Sequence, residues 1–215
     1  MPLSHIISPS QSCCIGIWTI TETEDELQAL LSQKSTSYNI PQNYTHNKRR
    51  LEWFAVRLIL HAMLPHSVFD ITYDLNGKPH LINPVGHISI SHTKEIVSVM
   101  YHQTHNCGID IELIKPRILK VAHKFLRDDE KEFLHPTNYL EKLFIIWGAK
   151  EVMFKIYSKG DLDFIQHLKV ETFEFADKGK FKAHILKPLQ NAGFTIHFLK
   201  KDDLLITYSV NEHHN

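Results

Sequence analysis

Only three of the 215 residues are cysteine, eight are glycine and nine proline, and neither sign of charge is in excess: Lys plus Arg and Asp plus Glu number 24 each. Each shortage excludes a class of protein. Cys13 and Cys14 are adjacent and Cys107 stands alone, so the thiols supply no even framework for a disulfide scaffold. Low glycine and proline exclude collagen-like and low-complexity chains. With a formal net charge of zero there is no global field to attract nucleic acid, and no basic stripe with interleaved aromatics substitutes for one. The N-terminus has no charged run leading into an apolar core. The most apolar long stretch, Leu51 to Leu64, is interrupted by Arg57 and His61 and falls far short of a membrane span. The expectation is a cytoplasmic protein, long enough for one large domain or two small lobes.

What is present reads as alternating strands and helices. Strands are expected at Ile15–Ile20, at Asp70–Tyr73 and His80–Ile82 around the turn Asn76-Gly77-Lys78-Pro79, and at His87–Ser91, Ile96–Tyr101 and Cys107–Leu113. Helices are expected at Glu22–Ser32, at Tyr44–Leu64 stopped by Pro65, in two pieces after Pro116, and at Tyr139–Ser158. Four more strands follow at Leu168–Phe175, Phe181–Ile185, Phe194–Leu199 and Leu204–Val210, and His213-His214 closes the chain as a frayed tail. Strands grouped with one long helix in each half give an α+β fold. The expected organisation is two pseudo-symmetric lobes, each a small antiparallel sheet packed with a long helix, over residues 1–105 and 106–215, with an active site in the cleft between them.

Four constellations bear on chemistry. In Cys107-Gly108-Ile109-Asp110-Ile111-Glu112-Leu113, alternation places Asp110 and Glu112 on one strand face, about 7 Å apart, with the isoleucines on the other. Two such carboxylates repel unless a cation lies between them, and their oxygens suit Mg²⁺; a strand with one wet face gives the same pattern. In the long helix, Trp147, Glu151 and Lys155 lie four apart and form one strip on a circumference that is otherwise apolar almost all round. That strip lines a site or forms a solvated Glu–Lys pair. The strand end Ile90-Ser91-His92 offers hydroxyl, imidazole and backbone N–H groups to a phosphate, or serves structure alone. In Lys48-Arg49-Arg50-Leu51-Glu52-Trp53-Phe54-Ala55-Val56-Arg57, Arg49 and Arg57 are two helical turns apart and clamp a phosphate or snorkel at the surface. The loop His102 to Cys107 lacks the partner cluster a zinc site needs.

Taken in order, these blocks resemble the 4′-phosphopantetheinyl transferases, specifically the larger monomeric, two-lobed type. The resemblance rests on Gly77-Lys78-Pro79, Ile90-Ser91-His92, Gly108-Ile109-Asp110-Ile111-Glu112, the segment Phe125 to Glu130, and Trp147 through Lys155, and covers residues 48 to 160. Two departures stand out: Phe125 is one residue further from Glu130 than the family spacing, and Gly148 follows the tryptophan where Ser, Thr or Cys is common.

The resemblance implies transfer of 4′-phosphopantetheine from coenzyme A to a serine of an apo carrier protein (acyl, polyketide or peptidyl), releasing 3′,5′-ADP. It places the adenine near Gly77, Lys78 and Pro79. The 3′-phosphate falls to Arg49 and His92, with Lys48, Arg50 and Arg57 beside them, and Ser91 is counted with the coenzyme A-binding residues. Mg²⁺ falls to Asp110, Glu112 and Glu151, and phosphate charge is neutralised by Lys150 and Lys155. Glu151 is also the implied general base, an assignment that competes with its role as metal ligand. The run from Lys115 to Arg127 carries Lys115, Arg117, Lys120, Lys124 and Arg127 and no acidic residue, so it is the expected landing surface for an acidic carrier. A metal-dependent phosphohydrolase and a non-catalytic carrier-binding module are the competing expectations.

Overall fold

A computed structural model describes residues 3–34, 38–42 and 44–211. His213 and His214 lie outside the described residues. The chain is a mixed α/β structure whose sheets are all antiparallel. The first is four-stranded, in the order β1 (Leu3–Ser10), β2 (Cys13–Thr19), β6 (Ile96–His102), β5 (His87–Thr93). The second is five-stranded, in the order β7 (Cys107–Leu113), β11 (Leu204–Val210), β10 (Ala192–Lys201), β9 (Lys178–Ile185), β8 (Leu168–Val170). A hairpin of β3 (Asp70–Tyr73) and β4 (Pro79–Ile82) stands apart.

Each sheet carries one long helix. Helix α2 (Asn47–Met63) packs on β2 and β6, and α4 (Tyr139–Tyr157) packs on β7 and β11. Helix α1 (Glu24–Ser32) begins at a capping box, in which Thr23 and Glu26 satisfy each other's backbone N–H, and it seats Leu27 and Leu31 against α2. After β7 the chain makes 3₁₀ turns at Pro116–Lys120 and Ala122–Lys124, then a four-residue α3 (Asp128–Lys131). The two helical pieces expected after Pro116 are therefore 3₁₀, as suits short connectors, and the first begins at the proline.

Three apolar clusters result. One fills the space under α2, another the space under α4, and a third joins the two sheets through Cys13, Ile15, Ile17 and Met100 on one side and Ile109, Ile111 and Ile206 on the other. At roughly 1.5–3 kcal/mol for each large apolar side chain buried, that third cluster fixes the sheets against each other. Along their adjoining edges, the N–H groups of Ile109 and Ile111 on β7 donate to the hydroxyls of Ser89 (3.1 Å) and Ser91 (3.2 Å) on β5, where a continuous ladder would use carbonyls.

Two sequence expectations change. The strand expected at Leu168–Phe175 pairs only over Leu168–Val170, after which the chain leaves the sheet edge. Strand β1 was not expected: it carries Pro9 and little alternation, and it forms because it is an edge strand laid on the apolar β2.

Candidate active site

On β7, Ile109 and Ile111 enter the inter-sheet cluster, so alternation turns Asp110 and Glu112 toward α4. Helix and strand approach closely because residue 108 is glycine: a Cβ there would stand 2.7 Å from the Val152 carbonyl oxygen. That approach brings Glu151 and Lys155 to the strand. Lys155 donates from Nζ to the Ile109 carbonyl (2.8 Å) and to Asp110 Oδ1 (2.9 Å), and Ser91 Oγ donates to the same Oδ1 (3.0 Å). The other oxygen, Asp110 Oδ2, is buried with no hydrogen-bond partner among the described residues.

The neighbouring carboxylates are under electrostatic stress. Burial pushes Glu112 up, and the Asp110 charge adds to the effect; Arg117, the Trp147 side chain and Thr93 work the other way. Burial likewise carries Glu151 up to about 7, with Asp110 and Glu112 adding to the rise and Lys155 opposing it. Such crowding is what a cation relieves. The described residues contain no point on which three His, Cys, Asp or Glu side chains converge as a ready-made metal cage. Mg²⁺ does not need one, since it is commonly held by one or two carboxylates together with substrate phosphate oxygens.

The second half of the site is built on α2 and the hairpin. Arg49, Glu52, Arg57, Tyr73 and His92 line a 200 Å³ cavity. The Arg57 guanidinium lies 3.6 Å over the Trp53 ring and donates to the Trp53 carbonyl (3.2 Å), yet its Nε is buried without a partner among the described residues. Glu52 Oε1 lies 3.3 Å from His92 Nδ1 and 3.7 Å from Lys48 Nζ. Burial lowers the His92 pKa, and the Glu52 charge opposes that. An adjoining 320 Å³ cavity is lined by Lys78, Glu151, Phe154 and Lys155, and the two share Gly77, Pro79 and Ile90. The arginines thus lie on one side of these shared residues and Glu151 with Lys155 on the other.

The hairpin turn that separates the cavities is set by Asp74, whose Oδ1 accepts from the N–H groups of Asn76 and Lys78 (2.9 Å each), while Gly77 takes φ +81, a conformation other residues resist. Lys78 is thereby directed to Asn106 Oδ1 (2.9 Å), and burial lowers its pKa.

Three expected ligands fall elsewhere. Lys150, one residue from Glu151 and so about 100° round the helix, is fully buried on the far side: its Nζ donates to the Phe125 carbonyl (2.6 Å), Glu130 Oε2 (2.8 Å) and the Phe164 carbonyl (3.0 Å). Arg50 turns away from Arg49 and pairs with Glu24 of α1. Ser91 spends its hydroxyl on Asp110 and the Ile111 N–H. Conversely, Glu52, Trp147 as a partner of Glu112, and Asn106 were not singled out as site residues. Glu52 lies three residues beyond Arg49, a spacing that places both on one helix face.

Residues 106–209 match the 4′-phosphopantetheinyl transferase superfamily. Over that stretch, just under half of its length, the chain is similar to that family. The 4′-phosphopantetheinyl transferase psf-1 of Bacillus pumilus is 34% identical over 111 residues, covering 49% of this chain and 47% of that protein. AcpT of Escherichia coli strain K12, a 4′-phosphopantetheinyl transferase, is 28% identical over 114 residues, 50% of this chain and 57% of its own. The 4′-phosphopantetheinyl transferase gsp of Aneurinibacillus migulanus is 29% identical over 124 residues, 56% and 49% respectively. The chain thus spans about half the length of the curated relatives it matches. Asp110, Glu112, Glu151 and Lys155 fall inside the superfamily match, whereas Arg49, Arg57 and His92 lie before it. Among the described residues no helix is long and apolar enough to cross a membrane.

Proposed function

We propose that this chain is a 4′-phosphopantetheinyl transferase, which transfers the 4′-phosphopantetheine group of coenzyme A to a serine hydroxyl of an apo carrier protein and releases 3′,5′-ADP. The observation that carries the reading is the pair of adjoining cavities, one lined by arginines and His92, the other by Glu151 and by Lys155, whose ammonium meets Asp110. Coenzyme A has matching chemistry: a 3′-phosphate to meet Arg49, Arg57 and His92, and a pyrophosphate to meet Lys155 and Lys78. We read residues 1–105 and 106–215 as the two lobes that contribute these ends.

Asp110 would hold Mg²⁺ through its unpartnered Oδ2, with Glu112 and Glu151 beside it, and the cation would neutralise pyrophosphate charge. Lys155 adds an ammonium where negative charge grows as the β-phosphate is attacked. With no cation beside it Glu151 is carried up to about 7, and it serves either as the base that accepts the serine proton or, with its proton lost, as a ligand of the ion. Trp147 and Thr93 orient Glu112, and Glu52 places a carboxylate oxygen in ion-pair range of His92, though in no hydrogen bond among the described residues. Arg117, 3.5 Å from Glu112, joins the exposed Lys120 and Lys124 and the half-buried Lys115 at the rim, where an acidic carrier would land. The proposed enzyme works as a cytoplasmic monomer. Incubation with coenzyme A, Mg²⁺ and a panel of apo carriers, read by intact mass, should add one phosphopantetheinyl group to at least one carrier. A panel left wholly unmodified by protein that still binds coenzyme A would refute transfer.

A further inference from the structure

The face of the five-stranded sheet opposite Asp110 holds a 680 Å³ groove between the β1–β2 hairpin and strands β9 to β11. It runs into a 460 Å³ hollow with which it shares Lys180, His197 and Tyr208. Register fixes what this face presents. Lys182, Lys180 and Lys178 of β9 stand opposite Thr195, His197 and Leu199 of β10, and His197 stands opposite Tyr208 of β11. Tyr208 in turn is opposite Ile109, whose side chain points away from that of Asp110. The sheet itself therefore separates this groove from the cleft.

The lining is one-sided in charge. Among its described residues there is no carboxylate, while Lys178 and Lys180 are exposed and lie about 7 Å apart along the strand. Lys182 extends the row and donates to Thr195 Oγ1 (2.8 Å). His102 accepts at Nδ1 from the N–H groups of Thr104 (3.2 Å) and His105 (2.9 Å), which fixes its Nε2–H toward Ser12 Oγ (3.4 Å) as a donor at the groove wall. The His197 and Tyr208 rings stack across the strands with centroids 5.1 Å apart and planes 14° from parallel. A concave surface with a row of ammoniums and a flat ring pair is complementary to an extended anion, and in a chain of zero net charge it is a local concentration.

We infer that this groove is a second binding site, independent of the transfer cleft, for a small polyphosphate anion laid along Lys178, Lys180 and Lys182 and flanked by the His197–Tyr208 pair. The shared chemistry is a chain of phosphoryl groups, inorganic or carried on a nucleoside. Calorimetric titration of the full chain with sodium tripolyphosphate and, separately, with ATP distinguishes the two sources: tighter binding of ATP assigns a nucleotide that also uses the ring pair, and equal binding assigns the phosphate chain alone. Because the cleft also offers phosphate ligands, an Arg49→Ala/His92→Ala variant isolates the groove, and both probes should still bind it. Both should bind Lys178→Gln/Lys180→Gln about tenfold or more weakly, these exposed positions leaving the fold intact by circular dichroism. Binding lost in the cleft variant and kept in the lysine variant overturns the inference, and so does failure of both probes to bind the parent at about 1 mM.

Discussion

Replacing Lys150 by methionine separates two accounts of the long helix. In the structure its ammonium has three acceptors, Glu130 and the carbonyls of Phe125 and Phe164, and both charged side chains are 0% exposed. Burial lowers Lys150 to about 8, the Glu130 charge opposing it. Yet a neutral amine has one donor too few for three acceptors, so the geometry favours the charged form. Methionine fills the space but leaves Glu130 as a buried charge supported only by the N–H groups of Val170 (2.9 Å) and Arg127 (3.0 Å). Breaking a buried pair from one side costs about 3–5 kcal/mol. At about 2–4 °C per kcal/mol for a chain of this size, Tm should fall by roughly 6–20 °C. Adding Glu130→Gln should recover part of the loss, since the amide oxygen still accepts from the backbone and its NH₂ can donate to a freed carbonyl. Thermal and urea unfolding by circular dichroism measure this, alongside kcat on the folded fraction. Lys155→Met, five residues on, should do the reverse, cutting kcat by orders of magnitude with little change in Tm, because that ammonium is partly exposed and meets Asp110. If Lys150→Met keeps its Tm and loses kcat, the buried pair is not what holds that helix and Lys150 belongs to the chemistry.

Asp110→Ala should abolish transfer at any Mg²⁺ concentration with the far-ultraviolet spectrum unchanged; near-normal turnover at saturating Mg²⁺ would remove the metal assignment. Glu52→Gln should raise KM for coenzyme A severalfold with kcat held, since it loosens His92 without touching the carboxylates; a fall in kcat at constant KM would contradict that role. Charge reversal with Lys120→Glu/Lys124→Glu should raise KM for the carrier alone, and added salt should do the same to the parent, because exposed charges are screened within about 8 Å at physiological ionic strength. Burial carries the Cys13 thiol from 9.0 up to about 12, with the Cys14 charge adding to it, and burial also raises buried Cys107. Folded thiols then keep protons that unfolded ones release, so their stabilisation is complete below pH 9 and lost as pH climbs toward 12. A thiol reagent at pH 8 should reach Cys13 and Cys107 only in urea, and equally fast labelling of all three in the native protein would contradict this.

Strands β5, β6 and β7 were legible as short runs rich in β-branched residues, although β6 and most of β7 are buried on both faces rather than one. Helix α4 was legible as a helix and illegible as a site: when a circumference is apolar almost all round, nothing in the sequence says which polar residue meets the cleft and which a buried partner. Lys150 and Glu151 are adjacent in sequence and end in different environments for that reason. Arg50 was misplaced similarly, because its partner Glu24 is on another helix, and Glu52 was passed over between larger cations. Edge strand β1 left no periodic trace, since pairing rather than burial defines it.

The serine hydroxyls between β5 and β7 make the join between the sheets a lateral seam rather than a weld. A shared backbone ladder would lock both sheets into one continuous twist, whereas two side-chain acceptors let each keep its own curvature. Ser91 at that seam also donates to Asp110, so one hydroxyl ties the spacing of the two sheets to the aim of a single carboxylate. Anything that pulls on that carboxylate therefore pulls on the seam, and a change of only a few tenths of an ångström in how the sheets lie would be felt first at Asp110.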